Sequence, residues 1–163
     1  MTETRRLYYE DVYKKEFTAT VVECRERKKG YAVILDESAF YPEGGGQPSD
    51  VGTLGDAKVT EVHEKDGELL HYTDKALEVG AKVEGKIDWA RRFDLMQQHS
   101  GEHMVSGIIH EKYGYDNVGF HMGSDVITVD LNGMLDEAQL AEIEQEVNER
   151  VWEDKEVQIT YPT

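Results

Sequence analysis

The sequence has a single cysteine, Cys24, in 163 residues. No disulfide framework can be drawn from it, and a reducing, cytoplasmic setting is the default expectation. Long apolar runs are missing as well: none comes near the roughly 18 residues that would span a bilayer, so no membrane partner is expected. The opening residues, Met1-Thr2-Glu3-Thr4-Arg5-Arg6, lack the apolar core of a signal peptide. No internal repeat or low-complexity tract is visible. Positive charge is scarce: 18 Lys plus Arg stand against 34 Asp plus Glu, a formal charge of −16. That balance counts against a chain that grips a phosphate backbone tightly, because neutralising phosphates takes net or local basicity. Two local exceptions exist, Arg25, Arg27, Lys28 and Lys29 in one run and Arg91 and Arg92 in another. Such runs can make a few phosphate contacts, though a cluster like the first is more often a solvated hairpin tip.

What is present fits a globular protein of one domain or two small ones, with 39% hydrophobic and 32% charged residues. The first half reads as β. Phe17 to Glu23 and Tyr31 to Leu35 are rich in β-branched or aromatic residues and flank a charged turn ending in Gly30. Lys58 to Glu64 and Glu68 to Tyr72 flank Asp66-Gly67, a strong two-residue hairpin signal. Lys82 to Asp88 alternates Val83, Gly85 and Ile87. About five short strands with tight turns point to a small barrel rather than a sandwich.

The period changes near Trp89. Arg91 to about Tyr113 reads as a helix, apolar on nearly every side through Phe93, Leu95, Met96, Met104, Val105, Ile108 and Ile109, and therefore expected to be buried. Gly114 is a plausible stop. Val126 to Leu131 alternates as a strand and Asn132-Gly133 turns the chain. Asp136 with Gln139 resembles a capping box for a second helix, with Leu140, Ile143, Val147 and Val151 as its core stripe. Val157, Ile159 and Tyr161 alternate as the start of another strand. The expected division is a barrel domain over 1–89 and a second domain over 90–163.

Within the first helix, Gln97-Gln98-His99-Ser100-Gly101-Glu102-His103 places two imidazoles one turn apart on one face. That geometry suits two of the four ligands of a tetrahedral zinc ion. Two histidines four apart can also be ordinary helix residues bonded to backbone or water. Leu95, Met96 and Gly107 share the face and would form a dry pocket. Ser100, not Glu, follows the first histidine, so the metalloprotease pattern is absent. His110 lies about 10 Å further along the axis, too far for the same ion. His121 follows a loop and could fold back. Cys24 is expected to pack as a small hydrophobe.

A second segment, Phe40-Tyr41-Pro42-Glu43-Gly44-Gly45-Gly46-Gln47-Pro48-Ser49-Asp50, gives these histidines a context. Gln98-His99-Ser100-Gly101-Glu102-His103 resembles the HxxxH motif of the editing domain shared by alanyl- and threonyl-tRNA synthetases. Gly44-Gly45-Gly46-Gln47-Pro48 resembles the glycine-rich motif of the alanyl branch and its free-standing AlaX relatives, and Gly119-Phe120-His121-Met122-Gly123 is similar to the next block. The resemblance spans nearly the whole chain. It implies an α+β protein: a small N-terminal β-barrel of the translation-factor type, then an incomplete editing domain with a buried HxxxH helix. It further implies hydrolysis of the ester between a wrong amino acid, serine or glycine, and the acceptor end of tRNA for alanine, a second sieve where binding alone discriminates poorly. His99 and His103 would be zinc ligands, completed in the family by a CxxxH pair. Gly44, Gly45, Gly46 and Gln47 would line the substrate pocket, with His121 at its wall. No CxxxH occurs here, since Cys24 is followed by Arg25, Glu26, Arg27 and Lys28. The zinc site is therefore expected to be half present and the editing domain unfinished, with a sheet edge that could pair with a second copy. Two other readings stand beside this one: a non-catalytic relative that binds a tRNA acceptor end or a protein, and an unrelated hydrolase using His99, His103 and His121.

Overall fold

The computed structural model describes residues 3–160. The chain divides into two compact units between Asp94 and Leu95. The first holds strands β1 (Arg5–Arg6), β2 (Glu16–Glu26), β3 (Tyr31–Leu35), β4 (Glu37–Ser38), β5 (Gly52–Leu54), β6 (Ala57–Lys65), β7 (Glu68–Thr73) and β8 (Lys82–Ile87), with a 3-10 turn at Leu7–Tyr9. Six of them close a barrel in the order β2-β3-β7-β6-β5-β8, while β1 and β4 pair as a separate two-stranded ladder. Closure removes every free edge from the barrel sheet.

Alternation drives this part of the fold. In β8 every second residue is buried, so Val83, Gly85 and Ile87 face inward while Lys82, Glu84 and Lys86 face out. The core gathers Val21, Val33, Leu35, Phe40, Leu54, Val62 and Leu69, all nearly or wholly removed from water. A Cβ at Gly85 would lie 2.4 Å from the Phe17 ring, so glycine there makes room for an aromatic core residue. Asp66 and Gly67 take φ of 53° and 81°, the left-handed pair that a two-residue hairpin requires. Cys24 packs against the barrel core, as expected for a small hydrophobe.

A polar pair is sealed inside the barrel. His71 and Ser38 are fully buried. The Ser38 Oγ lies 2.7 Å from His71 Nε2, the His71 Nδ1 lies 3.0 Å from the Val33 carbonyl oxygen, and the Phe40 N–H donates to Ser38 Oγ. With Nδ1–H donating and Nε2 accepting, a neutral imidazole is satisfied at both nitrogens.

Helix α1 (Trp89–Tyr113) carries the chain into the second unit, followed by β9 (Asn117–Met122), β10 (Ile127–Leu131) and α2 (Glu137–Trp152). β9 and β10 form an antiparallel pair. The core of this unit is Ile108, Ile109 and Ile143, with Val105, Tyr113, Leu131 and Val147 packed around them. Helix α2 starts on the expected capping box: Asp136 accepts from the Gln139 N–H, and the Gln139 side chain accepts from the Asp136 N–H. Gly114 ends α1 at φ 69°, with its N–H on the His110 carbonyl.

Three expectations need correction. Helix α1 is not buried all round: Arg92, Glu102, Ile108 and Ile109 are buried, whereas Phe93, Gln97, Gln98, Ser100 and His103 are exposed. Its apolar residues are spread round the helix, but burial follows the partners that pack on it. On α2, Ile143 is buried while Leu140 and Val151 are each 52% exposed, so the core stripe is narrower than its sequence. Residues 155–160 form no strand, and Tyr161 lies outside the described residues. Among the described residues no helix is long and apolar enough to cross a membrane.

Burial pulls the His71 pKa down to about 4 from 6.5. The unfolded chain therefore takes up a proton at His71 below pH 6.5 while the folded barrel refuses it until about pH 4. Stability from this group is complete above pH 6.5 and is lost as pH falls through that window, by about 3 kcal/mol at 1.36 kcal/mol per unit. Urea unfolding followed from pH 7 to pH 4 is expected to show this loss in the native chain and a smaller one in His71→Gln, whose amide does not titrate. Equal acid sensitivity in both would sink the assignment.

Candidate functional site

The glycine-rich segment belongs to the first unit. Gly44 and Gln47 bridge each other, with the Gln47 N–H on the Gly44 carbonyl at 3.0 Å and the Gly44 N–H on the Gln47 carbonyl at 3.2 Å. Between them Gly45 and Gly46 hold φ of 61° and 79°, the pattern of a type I′ turn that side chains rarely tolerate. Gly44, Gly45 and Gly46 are exposed and Gln47 is half-buried. The Gln47 amide has no hydrogen-bond partner among the described residues, which leaves it able to read a donor or acceptor on a ligand.

What holds this tip is a buried scaffold behind it. The Asp50 carboxylate and the Arg92 guanidinium are 3% and 4% exposed. Arg92 Nε donates to Asp50 Oδ1 at 2.8 Å, its Nη2 donates to Oδ2, and Nη2 also reaches the Ala39 carbonyl at 2.9 Å. Asp50 Oδ2 takes the Tyr41 N–H at 2.7 Å, and the Asp50 N–H returns to the Tyr41 carbonyl at 3.0 Å. Arg91 Nη1 donates to the Ser49 carbonyl at 2.6 Å, and Ser49 Oγ accepts the Val62 N–H. The Tyr41 ring stacks on Tyr8 at 4.1 Å and lies under the Arg92 guanidinium. Arg91 and Arg92 are thus loop anchors and not the phosphate-binding patch that their charge suggests.

The histidine pair belongs to the second unit. His99 Nε2 and His103 Nε2 lie 2.9 Å apart, with ring centroids at 4.6 Å. One nitrogen must donate and the other accept, so a proton is shared between two neighbouring imidazoles. Two ligands of a tetrahedral zinc would stand about 3.3 Å apart for Zn–N bonds near 2.05 Å, a shift of a few tenths from this geometry. His99 stacks on Phe120 at 6.0 Å. Burial and then repulsion from His103 lower its pKa, against the attraction of Glu102. The surroundings are not a dry pocket: the His103 side chain is 71% exposed. It borders a groove of about 550 Å³ that Met104, Gly107 and Val151 help to line.

Next to the pair stands a buried carboxylate that no motif marks. The Glu102 side chain is 5% exposed, with Oε2 at 4.0 Å from His103 Nδ1. Its Oε1 accepts from Ser106 Oγ and, at 2.8 Å, from Asn117 Nδ2. His121 is not brought to this cluster. It is exposed on β9, and strand alternation turns it to the sheet face opposite Phe120. His110 pairs instead with Asp116 at 2.9 Å. Among the described residues no group of three His, Cys, Asp or Glu side chains converges as a metal would require. The donors at hand amount to half of a zinc shell, and no step through a metal can be derived from them.

A family model described as tRNA synthetases class II (A) matches residues 2–91, just over half of the chain. The chain belongs to that family. It is 36% identical over 156 residues to the alanyl-tRNA editing protein Aarsd1 of Mus musculus, a match covering 86% of this chain and 38% of the mouse protein. Against the alanyl-tRNA editing protein AlaX-L of Pyrococcus horikoshii the identity is 35% over 161 residues, covering 94% of this chain and 40% of that protein. Against AlaX-M of Methanosarcina mazei it is 36% over 170 residues, covering 96% and 66%. The chain spans about two fifths of the length of the first two relatives.

Removing one member of a buried ion pair leaves an uncompensated charge in the interior, at about 3–5 kcal/mol. Asp50→Ala is therefore expected to lower the unfolding free energy of the barrel by that amount in urea titrations, whereas Lys75→Ala, which breaks an exposed pair with Asp56, costs about 0–1 kcal/mol. Equal effects of the two would refute the anchoring role of Asp50.

Proposed function

We propose that this chain carries the loop and histidine elements of an alanyl-tRNA-synthetase-related editing hydrolase, one that removes serine or glycine from tRNA for alanine. The observation that carries the reading is the His99–His103 pair, two Nε2 atoms 2.9 Å apart on one helical turn. The names of the relatives, alanyl-tRNA editing proteins, support it. Zinc is proposed as the metal, with His99 and His103 as two ligands and the others supplied from outside the described residues.

The contributions of this chain's own residues follow from their chemistry. His99, its pKa lowered by burial, offers a neutral imidazole nitrogen at physiological pH to a metal or a proton. The exposed Gly44-Gly45-Gly46 backbone lets a ligand approach closely, and the Gln47 amide can read the hydroxyl of a serine ester. Selection of a hydroxyl by a polar group is far sharper than rejection of one by an apolar pocket, which is the discrimination an editing site has to supply. A non-catalytic relative that binds the acceptor end is the second reading, favoured by the absence of a third metal donor among the described residues.

Two measurements on untagged protein decide between them. The editing reading expects bound zinc by elemental analysis, weakened at least about tenfold in equilibrium dialysis by His99→Ala, with an unchanged far-ultraviolet spectrum of the barrel. It also expects hydrolysis of seryl-tRNA for alanine faster than the spontaneous rate, lost in the same variant. A chain without zinc that leaves the ester at its spontaneous rate would establish the non-catalytic reading.

A further inference from the structure

The outer wall of the barrel gathers five cations, Arg27, Lys28, Lys29, Lys58 and Lys86, along two adjoining grooves. The turn between β2 and β3 places Arg27, Lys28 and Lys29 around a groove of about 590 Å³, floored by Tyr72 and Thr60. Thr60 also lines a second groove, of about 630 Å³, so the two meet at that residue. The second contains Lys58, Thr53 and Lys86. Register explains their alignment: Thr53 of β5 faces Lys58 of β6 on one side and Lys86 of β8 on the other. Side chains directly opposite in a sheet share a face, so two lysines flank one threonine with their backbones about 10 Å apart, two strand spacings.

We propose that these two grooves form one track for a nucleic-acid phosphodiester backbone, running from the β2–β3 turn across β7, β6 and β5 to β8. It deepens the editing reading by naming where its tRNA is held, and rests on that reading for the choice of tRNA. Five cations line the track against two carboxylates, Glu61 and Asp88. Both carboxylates have local hydrogen-bond partners: Glu61 bonds to the His63 ring at 2.9 Å, and Asp88 accepts the Arg91 N–H at the start of α1. Lys28, Lys29 and Lys58 form no ion pair among the described residues, and Lys86 has only Glu16 at 3.8 Å. The chain's charge of −16 does not decide the matter, because fields are screened over about 8 Å at physiological salt. Local charge governs contact at that range.

The aromatic component separates a nucleic acid from an acidic protein. The Arg27 guanidinium lies over the Tyr72 ring, 3.4 Å from its centroid, and His63 tilts against the same ring at 4.8 Å. A guanidinium seated over an aromatic ring is a platform on which a splayed base can stack without sequence preference. Thr53 adds a hydroxyl that suits phosphate or ribose oxygens, whereas the Thr60 hydroxyl donates to the Tyr72 carbonyl at 3.3 Å.

The test is fluorescence anisotropy of labelled, uncharged tRNA titrated with the full chain at several salt concentrations. Lys28→Ala/Lys29→Ala/Lys58→Ala is expected to weaken binding about tenfold or more at low salt and to reduce the logarithmic salt slope by about 2–3, near one per lost phosphate contact. Lys14→Ala/Lys65→Ala, two lysines lining neither groove, should change affinity less than about twofold. Equal weakening by both sets, or no binding at all, would overturn the track. So would binding of poly-L-glutamate as tight as that of tRNA, because the surface would then recognise charge alone. Ester hydrolysis is measured separately on the same variants. Binding that depends on the track without hydrolysis would uphold the track and reject the editing reading; hydrolysis with tRNA binding indifferent to these lysines would do the reverse.

Discussion

A carboxylate and a guanidinium withdrawn from water hold the glycine-rich loop in place. Charges so buried are stable only when every remaining donor and acceptor is used, because desolvation costs several kcal/mol per ion. The Asp50–Arg92 pair meets that condition by recruiting the Tyr41 N–H, the Ala39 carbonyl and the face of the Tyr41 ring. The same bonds fix both ends of the loop and the first turn of α1. The glycines at the tip are exposed because their conformation is imposed from behind. A fully satisfied network in a low-dielectric interior specifies one arrangement strongly, since losing any member strands the others.

The histidine pair has a different source of order. Helical pitch alone brings His99 and His103 together, so their approach needs no tertiary contact. Orientation is another matter, and here the second unit contributes. The Glu102–Ser106–Asn117 bonds tie β9 to α1. A register irregularity in β9 opposite Asp130 and Leu131 lets Asn117 and Phe120, three residues apart, both face α1. Without that extra residue, strict alternation would have turned one of them away.

Sequence patterns exposed local order and concealed long-range order. Strands β2, β3, β6, β7 and β8 were legible within a few residues because their inward positions alternate with polar ones. The Asp66-Gly67 turn and the Asp136–Gln139 box were legible because each is complete within four residues. Strand β5 went unread: Gly52-Thr53-Leu54 is too short to alternate and exists only through its neighbours on both sides. Strand β9 went unread because its irregularity breaks the period. The burial of α1 was overestimated because apolar content was taken for packing. In the candidate site, the motif segments drew attention to the loop and the histidines, but Arg92 and Glu102 were hidden. Asp50 lies 42 residues from Arg92 and Asn117 lies 15 from Glu102, and the one local partner, Ser106 four residues past Glu102, does not reveal that the carboxylate is buried. Arg91 and Arg92 even misled, since an adjacent pair of arginines looks the same whether it faces a phosphate or a buried aspartate.

The turn at Gly45 and Gly46 carries a consequence for chirality. Both residues occupy backbone angles that are natural for a D-amino acid and strained for an L one. The loop is thus a short mirror-image segment, and glycine is the genetically encoded residue that enters both of its positions with the least strain. Chemical synthesis has a wider choice: D-alanine at Gly45 or Gly46 would match the folded conformation while narrowing that of the unfolded chain, so handedness can stiffen the tip without altering the contacts that anchor it.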